Sequence, residues 1–469
     1  MIEEYKMQTL IICFVVFFTL FDVLYSQGVN TWDISFGALL KGPESAPKTL
    51  AMQSNHLHIG GHFTRLNSNT QHVLNTGYVS YFSDDHWQDM QGGLNAPIKS
   101  MCSAIDGKLY VAGGFTMDGS TDLFGLAFWN GVSWTGIPGL KVGSINTLAH
   151  DGVALYAGGM FPGIGDAKSQ GIATYANGKW QDMQSGIRRI PTQSGSQGEV
   201  TVLKYALGKL YVGGQFDSAG LAPARNIAYW DGQVWHSMGE GIRGKITDIT
   251  ILNTGTVIVA STKTNGNIIE CNPLMSWNGS AWSEIGLPPN CISISALSND
   301  GVNVFIGGNF TMDSSRHDHG LAKWDGKTFS SIGGGVVGTI ASLLYHDGIV
   351  YCGGTFLRVS DSLHCRNIAG YRVKEQSIEG SDSSLRLRTY PNPNQAGIVA
   401  ISFHIDDPGE AELCLISADG RVTHCFAQAY YTIGFHEVTL NTHAFASGQY
   451  QCVLYHKGHI RTTTMHIMH

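Results

Sequence analysis

The sequence predicts an all-β chain: a repeat array followed by a smaller, separate β domain. Three observations carry that expectation. First, a pattern of the form Leu-Tyr-Val-Gly-Gly-x-Phe recurs, with cores at Gly60-Gly61-His62-Phe63, Gly113-Gly114-Phe115, Gly158-Gly159-Met160-Phe161, Gly213-Gly214-Gln215-Phe216, Gly307-Gly308-Asn309-Phe310 and Gly353-Gly354-Thr355-Phe356. A worn copy runs from Val257 to Thr264, with Ser261 and Thr262 near the glycine positions. Second, the 469 residues include 59 glycines and only 14% charged side chains, more glycine than ordinary globular domains carry. Short alternating apolar runs are separated by Asn-Gly or Asp-Gly pairs, and no helical period persists. Third, the repeats stop after Val373, where a polar, serine-rich stretch at 374–385 precedes a different run of short strands.

The copies lie about 50 residues apart, the length of a four-stranded propeller blade. Seven copies therefore predict a seven-bladed β-propeller over 27–373. In the fourth unit the expected strands are 200–205, 210–214, 226–230 and 235–238. Asp231-Gly232 between the last two suits the φ > 0 backbone of a two-residue hairpin, as do Asn130-Gly131, Asn177-Gly178, Asn278-Gly279 and Asp325-Gly326. The paired glycines are expected to let backbones approach closely, and the phenylalanines to fill space between blades. The last unit has a third strand at 368–371 but no Asn-Gly-x-x-Trp after it. Trp32-Asp33-Ile34-Ser35-Phe36-Gly37 matches the missing piece, so the N-terminal strand is predicted to complete the last blade and close the ring.

Residues 1–26 read as a signal peptide. Thr9 to Leu24 is apolar apart from Asp22, and Ser26 offers a small residue for cleavage. No second apolar run is long enough to span a membrane, so no transmembrane span is expected in the mature chain. The net charge of −7, without a basic block, argues against nucleic acid as a partner.

From 386 to 469, runs at 400–404, 411–417, 421–427, 436–440 and 448–455 alternate as the strands of a small β-sandwich, with Asp419-Gly420 as a hairpin turn. The repeat array resembles kelch-type propellers, and more closely the repeats of Rax2-like surface proteins. That resemblance covers about 30–373 and implies architecture rather than activity. The Tyr390-Pro391-Asn392-Pro393 start, the Asp419-Gly420-Arg421 hairpin and Ser447-Gly448-Gln449-Tyr450 resemble a type A C-terminal sorting domain of the type IX secretion system. This implies export across the outer membrane of a Gram-negative bacterium, with the secretion machinery as partner. The family's lysine-rich last strand is replaced here by Thr462-Thr463-Thr464-Met465-His466.

Cysteine spacing suggests three bridges in an exported protein: Cys414 with Cys425, symmetric about Asp419-Gly420, Cys271 with Cys291, and Cys352 with Cys365. Cys-x-x-Cys, His-Glu-x-x-His, a phosphate loop and a Ser-His-Asp order do not occur, so neither a cofactor nor a metal is expected. His56, His58 and His62 share one strand but match no metal-ligand spacing. What remains is recognition. The loops expected on one propeller face are the longest, and they hold Arg188, Arg189, Arg225, Arg316, His317, Asp318, His319 and Arg366. Long loops on a rigid scaffold are where function concentrates, and arginine forks suit carboxylate, sulfate or phosphate groups. The reading is a secreted or surface binding or adhesion module for an extracellular protein or glycan. The alternative is a secreted propeller hydrolase, lyase or oxidase using the same face.

Overall fold

The structure, a computed structural model, describes residues 31–35, 42–67, 73–84, 86–104, 106–116, 125–189, 198–265, 268–312, 319–360, 363–373, 387–390, 398–405, 408–417, 422–432, 434–457 and 459–467. The expected signal peptide and linker lie outside the described residues. Among the described residues there is no helix, and none that is long and apolar enough to cross a membrane. The chain divides into two compact units that change over between Glu375 and Gln376.

In the first unit, one antiparallel plan recurs. The third sheet runs Ser144–His150, Leu155–Met160, Ile172–Ala176 and Lys179–Gln181, in sequence order from inner to outer strand. Sheets of the same plan begin at the inner strands Pro47–Gln53, Ile98–Ser103, Glu199–Ala206, Lys245–Ile251, Ser293–Asn299 and Val336–His346. In the last of these, Thr31–Asp33 is the outer strand, pairing Trp32 with Tyr371. This is a propeller-type domain, in which consecutive sheets pack face to face through shared apolar clusters.

The glycine pairs follow from how closely those neighbours approach. The inner strands bulge opposite them, as between Ile145 and Thr147, which face Gly159 and Gly158. A Cβ on the second glycine would meet an inner-strand carbonyl oxygen, Ser144 O at 2.0 Å for Gly159 and Thr339 O at 2.1 Å for Gly354. A Cβ on the first would meet the next sheet, Val200 Cγ1 at 2.6 Å for Gly158 and Ile246 Cγ2 at 2.7 Å for Gly213. Two copies are offset from the sequence expectation. In the second sheet Ala112 and Gly113 take the paired positions, leaving Gly114 with open space. In the worn copy Ala260 and Ser261, not Ser261 and Thr262, face the bulge, because the register counts from the inner strand and not from the residue types.

Two residues past each pair, Phe63, Phe115, Phe161, Phe216, Phe310 and Phe356 are at most 2% exposed. Burying a side chain of that size contributes about 1.5–3 kcal/mol. The fifth sheet has Lys263 there, ion-paired to Glu270 at 3.0 Å.

Polar side chains join consecutive inner strands. Met101 N donates to Thr49 Oγ1 (3.1 Å), Leu148 N to Ser100 Oγ (3.0 Å) and Leu203 N to Thr147 Oγ1 (3.0 Å). Thr201 Oγ1 donates to Ile246 O (2.6 Å), Thr247 Oγ1 to Ile294 O (3.0 Å) and Tyr345 N to Ser298 Oγ (2.8 Å). Ser342 Oγ of the seventh inner strand donates to Pro47 O of the first at 3.0 Å. At the outer edge, Trp134, Trp180, Trp235 and Trp282 each donate Nε1 to a carbonyl just past the preceding outer strand, at 2.7–3.1 Å. Trp32 does the same to Gly333 O at 2.7 Å.

The outer turns differ from the expected two-residue hairpins. Trp230 pairs with Trp235, so the loop has four residues, and Asp231 Oδ1 accepts the amides of Gln233 and Val234, both at 2.8 Å. The side chain replaces a backbone acceptor and spreads the turn. Among the expected Asn-Gly and Asp-Gly hairpins, Asn177-Gly178 alone closes over two residues, Ala176 facing Lys179, with φ of 52° and 75°.

In the second unit, Leu387–Tyr390, Ile398–Ile405 and Gly434–Asn441 form one sheet, and Val422–Tyr431, Gly409–Ser417, Gly448–His456 and His459–Ile467 another. Both contribute to one core, with Val399, Ile401, Phe403 and Ile405 from the first and Leu413, Leu415, Cys452 and Leu454 from the second. The Asp419-Gly420 turn lies outside the described residues.

The glycine geometry gives a paired prediction. Gly159→Ala forces a Cβ onto Ser144 O and is expected to cost about 3 kcal/mol or more, whereas Gly114→Ala, whose nearest neighbour is Ala96 Cβ at 3.9 Å, stays within about 0.5 kcal/mol. Urea unfolding of the two variants measures this, and equal midpoints would refute the assignment.

Candidate functional site

The two ends of the sheets are built differently. One end carries the outer turns and the short hairpins joining inner to second strands. At the other, where inner strands begin and second strands end, small additional sheets form. Gly42–Pro43, Arg65–Asn67 and Val73–Asn75 make one; Ile187–Arg188, Ser218–Ala219 and Ala222–Pro223 make another. Backbone pairing therefore stiffens loops that the sequence left irregular.

The second of these gathers part of the expected arginine set. Arg188 pairs with Ser218, its carbonyl accepts from Asp217 N at 2.9 Å, and Arg225 O accepts from Ile242 N at 3.0 Å. The side chains of Arg188 and Arg225 are exposed and Arg189 is half-buried, so these three guanidinium groups rise from one stiffened loop cluster. Arg366 does not join them. It occupies the position in the seventh sheet that Arg225 occupies in the fourth, each preceding a buried asparagine with positive φ, Asn226 at 65° and Asn367 at 62°. Asn226 Nδ2 donates to Ile242 O and Gly244 O, and Asn367 Nδ2 to Pro43 O. Arg366 instead lies near Glu44, whose carboxyl is held below its ordinary range by the Thr64 amide, then by the Thr64 hydroxyl, Arg65 and Arg366. His319 is half-buried and fixed by backbone bridges to Thr311 and Gly335. Arg316, His317 and Asp318 lie outside the described residues.

A polar run at the same end escaped sequence reasoning. Lys99 Nζ donates to Asn146 Oδ1 (3.0 Å), Asn146 Nδ2 to Glu199 Oε1 (3.3 Å), and Lys245 Nζ pairs with Glu199 Oε2 (2.7 Å). These residues open four consecutive inner strands. Aligning the repeats on their inner strands rather than on the glycines would have shown a polar residue recurring there.

The cysteines divide. Cys414 and Cys425 are register partners and are bridged, with Cα atoms 4.0 Å apart. Cys271 and Cys291 are thiols with Sγ atoms 3.1 Å apart. The Cys291 thiol donates to the Cys271 sulfur, which lowers the Cys271 thiol and raises its own. Cys352 and Cys365, expected as a pair, are buried thiols. The register explains their separation: Cys352 faces Ala369, while Cys365 N bonds to Leu357 O five residues further along the strand. The one metal-like grouping among the described residues, Glu412 with Cys414 and Cys425, has its sulfurs consumed in the disulfide.

Residues 191–343 match the model of the Rax2 C-terminal beta propeller domain. No curated protein matches the chain. Among solved structures, PorZ of Porphyromonas gingivalis, an essential bacterial surface component of its type IX secretion system, aligns with 89% of this chain at 14% identity and a TM-score of 0.39. The chain spans 64% of PorZ. A protein of unknown function from Bacteroides thetaiotaomicron aligns with 71% of this chain and 98% of its own length, at 8% identity and a TM-score of 0.35.

The histidine strand of the propeller has a structural role. His58 is 4% exposed and stacks on Tyr81 at 5.3 Å, with Nδ1 3.0 Å from His56 O. Burial lowers its pKa from 6.5 to about 4. The unfolded chain therefore takes up a proton near pH 6.5 that the folded chain refuses until about pH 4. Stability is full above 6.5 and falls as pH drops through that window, by about 3 kcal/mol at the acid end. Replacing His58 by Gln is expected to flatten the stability curve between pH 6.5 and 4 relative to wild type; parallel curves in chemical denaturation at stepped pH would count against it.

Proposed function

We propose that the chain is an exported propeller, displayed at or released from the surface of a Gram-negative bacterium, that recognises an extracellular protein or glycan through its long-loop face. The scaffold in this reading is a closed ring of seven blades. Closure is supported by bonds between the first and last sheets that repeat those between consecutive ones: Ser342 to Pro47 along the inner strands and Asn367 to Pro43 at the loops. The packing of Gly353 against Pro47, with a built Cβ 3.0 Å from Pro47 Cβ, repeats the contact between the other sheets. A closed ring completes the last sheet and leaves only short, protected edges.

The observation that carries the recognition reading is the asymmetry of the two ends. One end is made of short, self-bonded turns. The other presents exposed Arg188 and Arg225 on loops held by backbone pairing, which is a preorganised surface for an anionic or polar partner. Charge reversal at Arg188 and Arg189 is expected to weaken capture of a surface ligand by about tenfold or more, while stability stays within about 0.5 kcal/mol. Pull-down and thermal melting read the two quantities, and normal capture by the variant would overturn the assignment of this loop cluster.

Export through the type IX system rests on the motifs from Tyr390 to Tyr450 and on the two-sheet sandwich that carries them. Truncation after residue 375 is expected to leave a folded propeller in the periplasm of a host with that system. Fractionation with protease shaving tests this, and surface display of the truncated chain would remove the sorting role.

A further inference from the structure

The fifth sheet differs from the third and fourth at the place where a cleft lies. In the third and fourth sheets, the loop between second and third strands folds back over the outer-strand tryptophan. A Cβ built on Gly165 lies 2.6 Å from Trp180 Cδ1, and one on Gly220 lies 2.7 Å from Trp235 Cδ1. Among the described residues, no glycine of the corresponding loop in the fifth sheet lies against Trp282. The second strand of that sheet, Val257–Asn265, runs on and pairs with Ile268–Cys271 as an extension of the ladder. Lys263 stands where the other copies have a buried phenylalanine, and it is ion-paired to Glu270 on that extension. A cleft of about 520 Å³ is left beside Trp282.

The lining has a definite chemistry. Trp282, Trp277 and Met275 form an apolar wall, and the two indoles pack at 5.1 Å with 48° between their planes. Trp282 Nε1 is already committed to Met238 O, so the indole offers carbon surface rather than a donor. Glu240 and Arg243 stand exposed at the rim, and neither has an ion-pair partner among the described residues. Asn272 is fixed beside them, donating Nδ2 to Arg243 O at 2.9 Å and to Ser261 Oγ at 3.0 Å. Its side-chain oxygen remains as an acceptor. The cleft is thus mainly apolar with a few convergent polar groups, at a volume suited to a small ligand.

We infer that this cleft binds a sugar ring of a glycan, with the ring's C–H face against Trp282 and its hydroxyls bonded to Glu240, Arg243 and Asn272. A pyranose is apolar on its faces and carries hydroxyls, each both donor and acceptor, around its edge. That distribution matches an aromatic floor rimmed by an acceptor carboxylate, a donor guanidinium and an amide oxygen. A purely apolar occupant would leave the rim charges without partners, and a simple anion would make no use of the indole wall. The inference rests on the recognition reading above and narrows it to one site and one ligand class, separate from the Arg188–Arg189 loop.

The test uses the full mature chain on an array of bacterial and host oligosaccharides, followed by tryptophan-fluorescence titration with any oligosaccharide retained. The variants are Glu240→Gln with Arg243→Ala, which alter exposed side chains, and Trp282→Phe, which keeps a ring in the cleft but loses the Nε1 bond. The expected result is saccharide binding with indole quenching, reduced tenfold or more by the rim double variant at unchanged melting temperature. Binding that survives the rim variant but is lost on charge reversal at Arg188 and Arg189 would place the ligand elsewhere, overturning this inference while leaving recognition by the long-loop face standing. Failure of the wild-type chain to retain any saccharide, or retention of peptides only, would also overturn it.

Discussion

The structure depends on how closely each second strand lies against the inner strand of its own sheet and against the sheet beside it. At each bulge an inner-strand carbonyl takes the space in which the facing residue would carry its Cβ, as Ser144 O does at Gly159 and Ser293 O at Gly308. The glycine costs about 0.5–1 kcal/mol in backbone entropy relative to alanine. What offsets it follows directly along the strand, where a phenylalanine two residues on is removed from water. The bulge also brings Thr49, Ser100 and Thr147 to the amides of the neighbouring sheet, satisfying groups that ladder pairing leaves unbonded. Close approach, burial and polar satisfaction therefore come from one local geometry repeated along the chain.

The variants of the motif show which part of that geometry is strict. Alanine replaces the first glycine at Ala112 and Ala260, where the obstacle is a neighbouring side chain that can shift. The second position faces backbone, which cannot, and the copy with Ser261 there is also the copy that lacks the phenylalanine. Its second strand extends the ladder to Cys271, as that of the seventh sheet extends it to Leu363–His364. The inner-strand bonds of Thr201 and Thr247 keep this sheet in line despite that loss. A repeat scaffold can in this way carry one irregular sheet, and the irregular sheet is where the cleft lies.

The second unit shows the limits of pattern reading in a different form. Its alternation is plain in Ile398–Ile405, whose odd-numbered residues are buried and whose even-numbered ones are not. The cysteine symmetry pointed to the pair that is bridged. Strand ends were less legible: the strand expected at 421–427 is Val422–Tyr431, because pairing with Gly409–Ser417 continues past the end of the apolar pattern. Cys352 and Cys365 lie nearly as close in sequence as the bridged pair, and spacing carries no information about register.

By itself the sequence determined the all-β class, the repeat length, the places of the glycines and buried aromatics, and the match of Trp32 to an outer strand. These are consequences of local backbone preference and of apolar periodicity, which a linear pattern records. Tertiary structure decided what depends on contacts between repeats. It set the true register of the worn and offset copies, the four-residue turns at Asp231 and its equivalents, and the separation of Arg366 from Arg188 and Arg225. It also produced the Lys99–Asn146–Glu199–Lys245 run and the cleft beside Trp282. For the polar run and the arginines the deciding neighbour lies in another repeat, about 50 residues or more along the chain, while the turns and the worn copy's register were set by side-chain acceptors and strand pairing inside one sheet that residue types alone do not encode.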